Sequence, residues 1–453
     1  MRVHQLKVGV SGIRGVVGEF LTPSLACAFA QAFGAYVGAG RVVVGRDSRS
    51  SGPMLQHAVT CGLLASGCEV VDVGVMPTPT IQIYVASIHA RGGISLTASH
   101  NPPEYNALKL FNTEGLFFNN YERGELLDLY HQSDFRQATN AEIRRVTSDP
   151  GVPVRLHVER VLRHVDAEAI RRRNFRVALD SVNGAGSRMS CDFLRDTLGC
   201  ELHAISVDPD LPFPREAEPR PDTLGDLSEL VVRSGSQIGF AQDPDGDRLA
   251  VAEETGRVLD NDDVLALAVD AVLRRFPGPV VVNLTTSSVV DDVAAAHGCR
   301  VWRTPVGEAN VVETMQATHA AIGGEGSNGG IIFPAVHLCR DSYTGMAFLL
   351  DRMAATGESI GALASRLPRY YRRFGKVAYA HGRLGTLMQA LEERFPDAQS
   401  DRSDGLKLSL NDGWIHVRAS NTEPLLRLAA EARSQDQVEE LYERMERLLS
   451  DTS

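Results

Sequence analysis

Three times along the chain an apolar, strand-like run ends in a polar turn, leads into a helical stretch, and reaches Gly-Cys before a second apolar run. The copies run from RVVVGRDSR to SGCEVVDVG (41–74), from FRVALDSVNGAG to LGCELHAIS (175–206) and from PVVVNLTTSS to HGCRVWRTPVG (279–307). Short apolar runs bounded by turn residues read as strands. A strand, a helix and a strand joined in this order normally form a crossover in a mainly parallel sheet. Three ordered copies predict three related α/β domains. Beyond about Pro368 the pattern changes: YYRRFGKVAYA, KLSLNDGWIHVRASN and LLRLAAEA alternate like half-buried strands, and DQVEELYERMERLLS closes the chain as an amphipathic helix. The predicted fold class is α/β, with three related domains built on mainly parallel mixed sheets and a smaller C-terminal α+β domain. Pro/Gly breaks place the divisions at 1–150, 151–255, 256–368 and 369–453.

Length supports several domains, because 453 residues exceed what one hydrophobic core holds. With 43% hydrophobic and 23% charged residues, the balance is that of an ordinary soluble globular protein. The most apolar helical run, LALAVDAVL, is too short to span a membrane and contains Asp270. The first residues, MRVHQLKVGV, have neither an apolar core nor a cleavage site of a signal peptide. Seven scattered cysteines without a C-x-x-C pair suit a reducing cytoplasm. A net charge of −11 argues against a surface that coats nucleic acid, but leaves room for a small anion met by locally placed arginines.

Five stretches carry candidate chemistry. In DPDGDRLAV (243–251), Asp243, Asp245 and Asp247 put three hard carboxylates on five residues, which like-charge repulsion disfavours unless a cation joins them. Oxygen-only ligands select Mg²⁺ or Ca²⁺. An EF-hand would place Gly where Arg248 stands and would have helical flanks. Here the flanks read as strands, so a Mg²⁺ site is favoured, with Arg248 beside it to meet an anion. ISLTASHNPPEYNALKLF (94–111) runs a strand into Ser99-His100-Asn101-Pro102-Pro103, which taken alone reads as a turn. WIHVRASNTEPLLRLAAEA (414–432) offers Arg418, Ser420, Asn421 and Thr422 at a loop and Arg427 on the next strand, the donors that a phosphate dianion requires. VGVSGIRGVVGE (8–19) surrounds Arg14 with glycines without forming a Walker loop. AIGGEGSNGGIIFP (321–334) bears Glu325 and Ser327 on a glycine-dense turn that lets backbone approach a ligand.

Taken in order, GVSGIRG, TASHNPPEYNALKLF, DPDGDRLAV, GGEGSNGG and RASNTEPLLR resemble the signatures of the α-D-phosphohexomutases, and the resemblance spans nearly the whole chain. It implies four domains around a central cleft. Ser99 matches the family's phosphoserine, and Asp243, Asp245 and Asp247 match its Mg²⁺ ligands, with the phosphoserine completing the set. Arg14, His100, Lys109 and Arg248 match residues around the transferring group. Arg418, Ser420, Asn421, Thr422 and Arg427 match the clamp on the phosphate that does not react, and Glu325 and Ser327 match the loop that reads sugar hydroxyls. The implied reaction interconverts hexose 1-phosphate and hexose 6-phosphate through a 1,6-bisphosphate, which is both intermediate and activator. SNTEP at 420–424 resembles the phosphomannomutase/phosphoglucomutase enzymes. The VGEAN stretch at 306–310 resembles phosphoglucosamine or archaeal-type relatives, so mannose or glucose phosphates rank first and glucosamine phosphate second. The expected partner is a phosphosugar alone, with no nucleic acid or membrane, in a monomer or homodimer. From other classes, a non-catalytic sugar-phosphate-binding module would keep the clamp and lose the serine or the metal. A calcium-binding structural protein would leave both the serine loop and the clamp idle.

Overall fold

The structure, a computed structural model, describes residues 7–9, 12–133, 135, 137–379, 384–420 and 425–451. Each sequence repeat folds as a strand, a helix and a strand. They are Arg41–Arg46, Gly52–Ala65 and Glu69–Val75; Arg176–Asp180, Ser187–Asp192 and Glu201–Ile205; and Val280–Asn283, Val289–Ala296 and Val301–Thr304. The two strands of every copy pair in parallel. Residues 42–44 and 280–282, all valine, are wholly buried, as expected of strands covered on both faces.

The units share more than the repeat. In each, a later strand pairs in parallel with the repeat's first strand and then turns back as an antiparallel hairpin. These hairpins are Gly92–Leu96 with Tyr105–Phe111, Ile238–Gln242 with Leu249–Glu253, and Ile322–Glu325 with Gly330–Ile332. The hairpin connections are the Ser99 loop, the acidic loop 243–248 and the glycine-dense turn 326–329. One topology thus delivers three motifs from equivalent ends of three sheets, beyond the carboxyl ends of parallel strands, where open α/β sheets bind ligands. The first sheet adds Lys7–Gly9 and Gly12–Val16 beyond Tyr105–Phe111 and Val146–Ser148 beyond Glu69–Val75, giving seven strands.

The C-terminal sheet has five strands, paired antiparallel throughout its described ladder, with helices Leu384–Arg394 and Gln435–Asp451. It keeps its own apolar core, which includes Leu391, Val417, Leu428 and Met445. The second and third units instead share one continuous core, including Phe240, Val251, Val282 and Tyr343. Polar contacts tie the last domain to the third: Lys407 Nζ donates to Leu284 O at 2.6 Å, and Ser288 N donates to Glu431 Oε1 at 2.8 Å. The seven cysteines are unpaired. Among the described residues no helix is long and apolar enough to cross a membrane.

Candidate active site

Ser99 sits at the tip of the first hairpin with φ +49°, a left-handed conformation that costs a side-chain-bearing residue about 1–2 kcal/mol. Its amide donates to Thr97 Oγ1 at 2.9 Å, and its hydroxyl donates to Asp243 Oδ2 at 2.7 Å. The serine loop of the first unit therefore closes directly onto the acidic loop of the second.

The acidic loop turns tightly at Gly246, whose φ of +66° a glycine adopts without strain. Asp243, Asp245 and Asp247 are buried, and each offers a carboxylate oxygen within 4.8 Å of the other two. Neighbouring units supply counter-charges. Asp245 Oδ2 accepts from Lys109 Nζ and from Thr78 Oγ1, each at 2.6 Å, and Asp247 Oδ2 accepts from Arg340 Nη2 at 2.6 Å. Burial alone would lower the Lys109 ammonium, but Asp245 and Asp247 outweigh it and hold it charged. Burial, with the charges of Asp247 and Asp245, raises Asp243 well above the usual carboxylate range. Asp245 is held below that range, because Lys109 overcomes the penalty of burial. Among the described residues, Oδ1 of Asp245 and Oδ1 of Asp247 are buried without a hydrogen-bond partner. Orphaned oxygens inside an all-oxygen donor set fit a hard divalent cation. The strand flanks settle the EF-hand alternative against it.

Ser99, Lys109 and Arg340, which contact the aspartates, also line a cavity of about 160 Å³ together with Arg14, His100, Arg248, Glu325 and Glu308. Six of the residues expected at the site thus meet in one place. Arg14 Nη1 donates to Asn101 Oδ1 at 2.5 Å. Arg248 Nη2 lies 2.7 Å from His100 Nδ1; a guanidinium only donates, so Nδ1 accepts and the ring proton is on Nε2. Burial, with Arg248 and Arg14 beside it, pushes His100 down to about 2, which keeps the imidazole neutral. Burial pushes Glu308 up to about 7, although Arg340 partly offsets it.

A second cavity of about 350 Å³ adjoins the first, sharing Val306 and Asn328 with it, and is lined by Ser327, Arg418 and Arg427. Arg418 and Arg427 face each other on paired strands. Arg418 Nη1 donates to Asp404 Oδ2 at 3.2 Å, and the same oxygen accepts from Val306 N of the third unit at 3.0 Å. The glycine-dense turn is therefore divided: Glu325 faces the serine cavity, where its Oε1 accepts from Asn283 and from Gly307 N, whereas Ser327 faces the arginine cavity. Ser420 N donates to Leu425 O at 2.8 Å. Asn421 and Thr422 lie outside the described residues.

Sequence reasoning missed Thr78, Glu308, Arg340 and Asp404. Thr78, Arg340 and Asp404 stand in no quoted motif, and each of the four has a partner far along the chain. The one available signal was VGEAN, which contains Glu308.

Comparison with known proteins gives a consistent result. Residues 5–137, 155–256 and 260–371 match phosphoglucomutase/phosphomannomutase α/β/α domains I, II and III, and residues 383–448 match the C-terminal domain of the same proteins. A phosphoglucomutase/phosphomannomutase of Thermococcus kodakarensis is 37% identical over 444 residues, covering 96% of each chain. A "probable phosphoglucosamine mutase" of Methanopyrus kandleri is also 37% identical, over 437 residues, covering 96% of this chain and 95% of the relative. The crystal structure of a phosphoglucomutase/phosphomannomutase family protein from Burkholderia thailandensis superposes with a TM-score of 0.85 at 28% identity, covering 98% of this chain and 96% of that one.

Proposed function

Because the chain belongs to the phosphoglucomutase/phosphomannomutase family, we propose that it interconverts hexose 1-phosphates and hexose 6-phosphates through phospho-Ser99, with mannose or glucose as the sugar. The observation that carries this reading is the Ser99 hydroxyl on Asp243, facing a cavity that Arg14, Lys109, Arg248 and Arg340 also line. Phosphoryl transfer is chiefly positioning and neutralisation of charge, and these groups supply both.

Phospho-Ser99 gives its phosphoryl group to the free hydroxyl of the sugar phosphate: the new O–P bond forms as the Oγ–P bond breaks, leaving a 1,6-bisphosphate. The bisphosphate then turns around and returns its other phosphoryl group to Ser99. Lys109, held charged, donates toward the departing Oγ, and neutral His100 offers its Nε2–H to a phosphoryl oxygen. Glu308, pushed up to about 7, can take the sugar hydroxyl's proton near neutrality. Arg418 and Arg427 hold the other phosphate, with Ser420, Asn421 and Thr422 as further donors, while Glu325 and Ser327 meet sugar hydroxyls. Asp243, Asp245, Asp247 and Ser99 would hold Mg²⁺, which when bound supplies Lewis-acid neutralisation of the phosphoryl oxygens. A hexose 1,6-bisphosphate would prime Ser99 by phosphorylating it.

A second reading, glucosamine phosphate as substrate, is favoured by Glu308 itself, a carboxyl in the serine cavity able to meet an ammonium at C2. A phosphorus NMR time course with Mg²⁺ and trace glucose 1,6-bisphosphate decides both points, with glucose, mannose and glucosamine 1-phosphates offered separately. Formation of a 6-phosphate is the expected result, and the fastest sugar names the substrate. No isomer from any of the three, with folded and phosphorylated protein, would overturn the proposal.

The cation site makes a separate prediction. Asp243 carries a raised value in the folded, metal-free protein, so its contribution to stability is full below the unfolded carboxylate range and is lost as pH rises through the folded value. Near neutrality, Asp243→Asn is therefore expected to melt higher than wild type in EDTA. Wild type should gain about 2.7 kcal/mol at Mg²⁺ concentrations 100-fold above its Kd. The variant should gain much less, and an equal gain in both proteins would exclude Asp243 as a ligand.

A further inference from the structure

Ser99 is buried at the tip of an irregular loop, and the carbonyls of that loop and of Tyr105, where the next strand begins, need partners that hold them in place. Four of them find Arg49. Its Nη2 donates to Ser99 O and to Asn101 O, each at 2.7 Å, and its Nη1 donates to Pro102 O at 2.6 Å and to Tyr105 O at 3.1 Å. Its Nε donates to Asp47 Oδ2 at 3.0 Å, so all five guanidinium protons are used. Asp47 Oδ2 also accepts from Thr97 Oγ1 at 2.7 Å, and Thr97 Oγ1 in turn accepts from Ser99 N at 2.9 Å. The circuit is closed: one buried ion pair grips Ser99 by its carbonyl through Arg49 and by its amide through Thr97. Both partners of the pair are buried.

We propose that Arg49 is a positioning residue that holds Ser99 in its left-handed conformation and so aims Oγ at Asp243 and the cavity. The assignment rests on Ser99 being the phosphoryl carrier, and it adds a device outside the sequence motif of the loop. Lysine cannot replace it, since an ammonium has three donors and no planar fork to span four carbonyls. The guanidinium also lies 5.2 Å from the Phe213 ring of the second unit, and both residues line a cavity of about 340 Å³ separate from the serine cavity. That cavity lets a small guanidinium ion reach the place that a shortened side chain leaves.

The test uses full-length Arg49→Lys and Arg49→Ala proteins. Amide hydrogen exchange, followed by mass spectrometry, should quicken about tenfold or more in peptides covering 97–106, with other first-domain peptides unchanged. Turnover should fall about 10²-fold, the scale of a misplaced reacting group, while KM shifts less than about threefold because the phosphate arginines lie on another domain. Low millimolar guanidinium should restore part of the turnover of Arg49→Ala and slow its loop exchange. Unchanged exchange at 97–106, or equal quickening across the whole first domain, would overturn the proposal. So would a rise in KM at constant turnover. Because exchange is read without substrate, an inactive wild type would remove the mutase reading alone, and the grip of Arg49 on the loop would still be decided.

Discussion

Replacing Ser99, the proposed phosphoryl carrier, with alanine is expected to abolish isomerisation, by about 10⁴-fold or more, because the variant lacks the oxygen that holds the group between the two transfers. The fold should survive it. Alanine and serine bear the same Cβ, so the left-handed φ of +49° strains both alike. The deletion removes only the hydrogen bond from Oγ to Asp243 Oδ2. Ser99→Gly sharpens the comparison. Glycine is free of the roughly 1–2 kcal/mol that the left-handed region costs other residues, partly offset by its greater freedom in the unfolded chain. The glycine variant should thus be equally inactive and at least as stable as the alanine variant. The NMR time course and paired thermal melts read both effects. Residual isomerisation above about 1% of wild type would show that another residue carries the phosphoryl group.

Lys109→Met should be the most destabilising change at the site. The ammonium is buried 2.6 Å from Asp245 Oδ2 and 3.6 Å from Asp247 Oδ2, and it crosses from the first unit to the second. Removing one partner of a buried ion pair leaves the other uncompensated, at about 3–5 kcal/mol. Methionine keeps most of the packing volume, so the loss reports charge and not a cavity. Turnover should fall about 10²–10³-fold, as when one preorganised donor is lost. The double variant Lys109→Met/Asp245→Asn should be destabilised by less than the sum of its parts, with a coupling of roughly 2 kcal/mol or more in a double-mutant cycle. Denaturant midpoints in EDTA make the measurement. A loss below about 1 kcal/mol in the single variant would refute the account of Lys109 as the buried counter-charge.

The valine-rich runs at 42–44 and 280–282 and the turn residues after them made the repeated strand–helix–strand units readable, because burial on both faces writes itself as uninterrupted apolar sequence. The hairpins after each repeat were readable one motif at a time, but their equivalence was not. That follows from strand order, which a linear sequence does not state. Arg49 stood in GRDSR and passed as an ordinary turn residue, since its four carbonyl partners lie about 50 residues away. Thr78 and Arg340 reach their aspartates across 167 and 93 residues. Glu325 and Ser327 read as one pair because they are two residues apart. The end of a strand and a turn of 3₁₀-helix point them into different cavities. What the sequence hid was long-range pairing of charge; what it displayed was periodicity and local turn chemistry.

Lys109 is buried in the first unit, yet Asp245, its counter-charge, lies 136 residues later in the second. A ribosome adding about 5–20 residues per second needs roughly 7–27 seconds to supply that carboxylate. Until then the nascent first unit must keep the ammonium hydrated, so its centre cannot close around it. Arg340, which meets Asp247, is completed 93 residues after that aspartate and adds to the charge of Lys109, already 3.6 Å from the same oxygen. The site thereby ties completion of the first unit to synthesis of the second, and a chain that ended between the two would carry the Lys109 ammonium without its counter-charge.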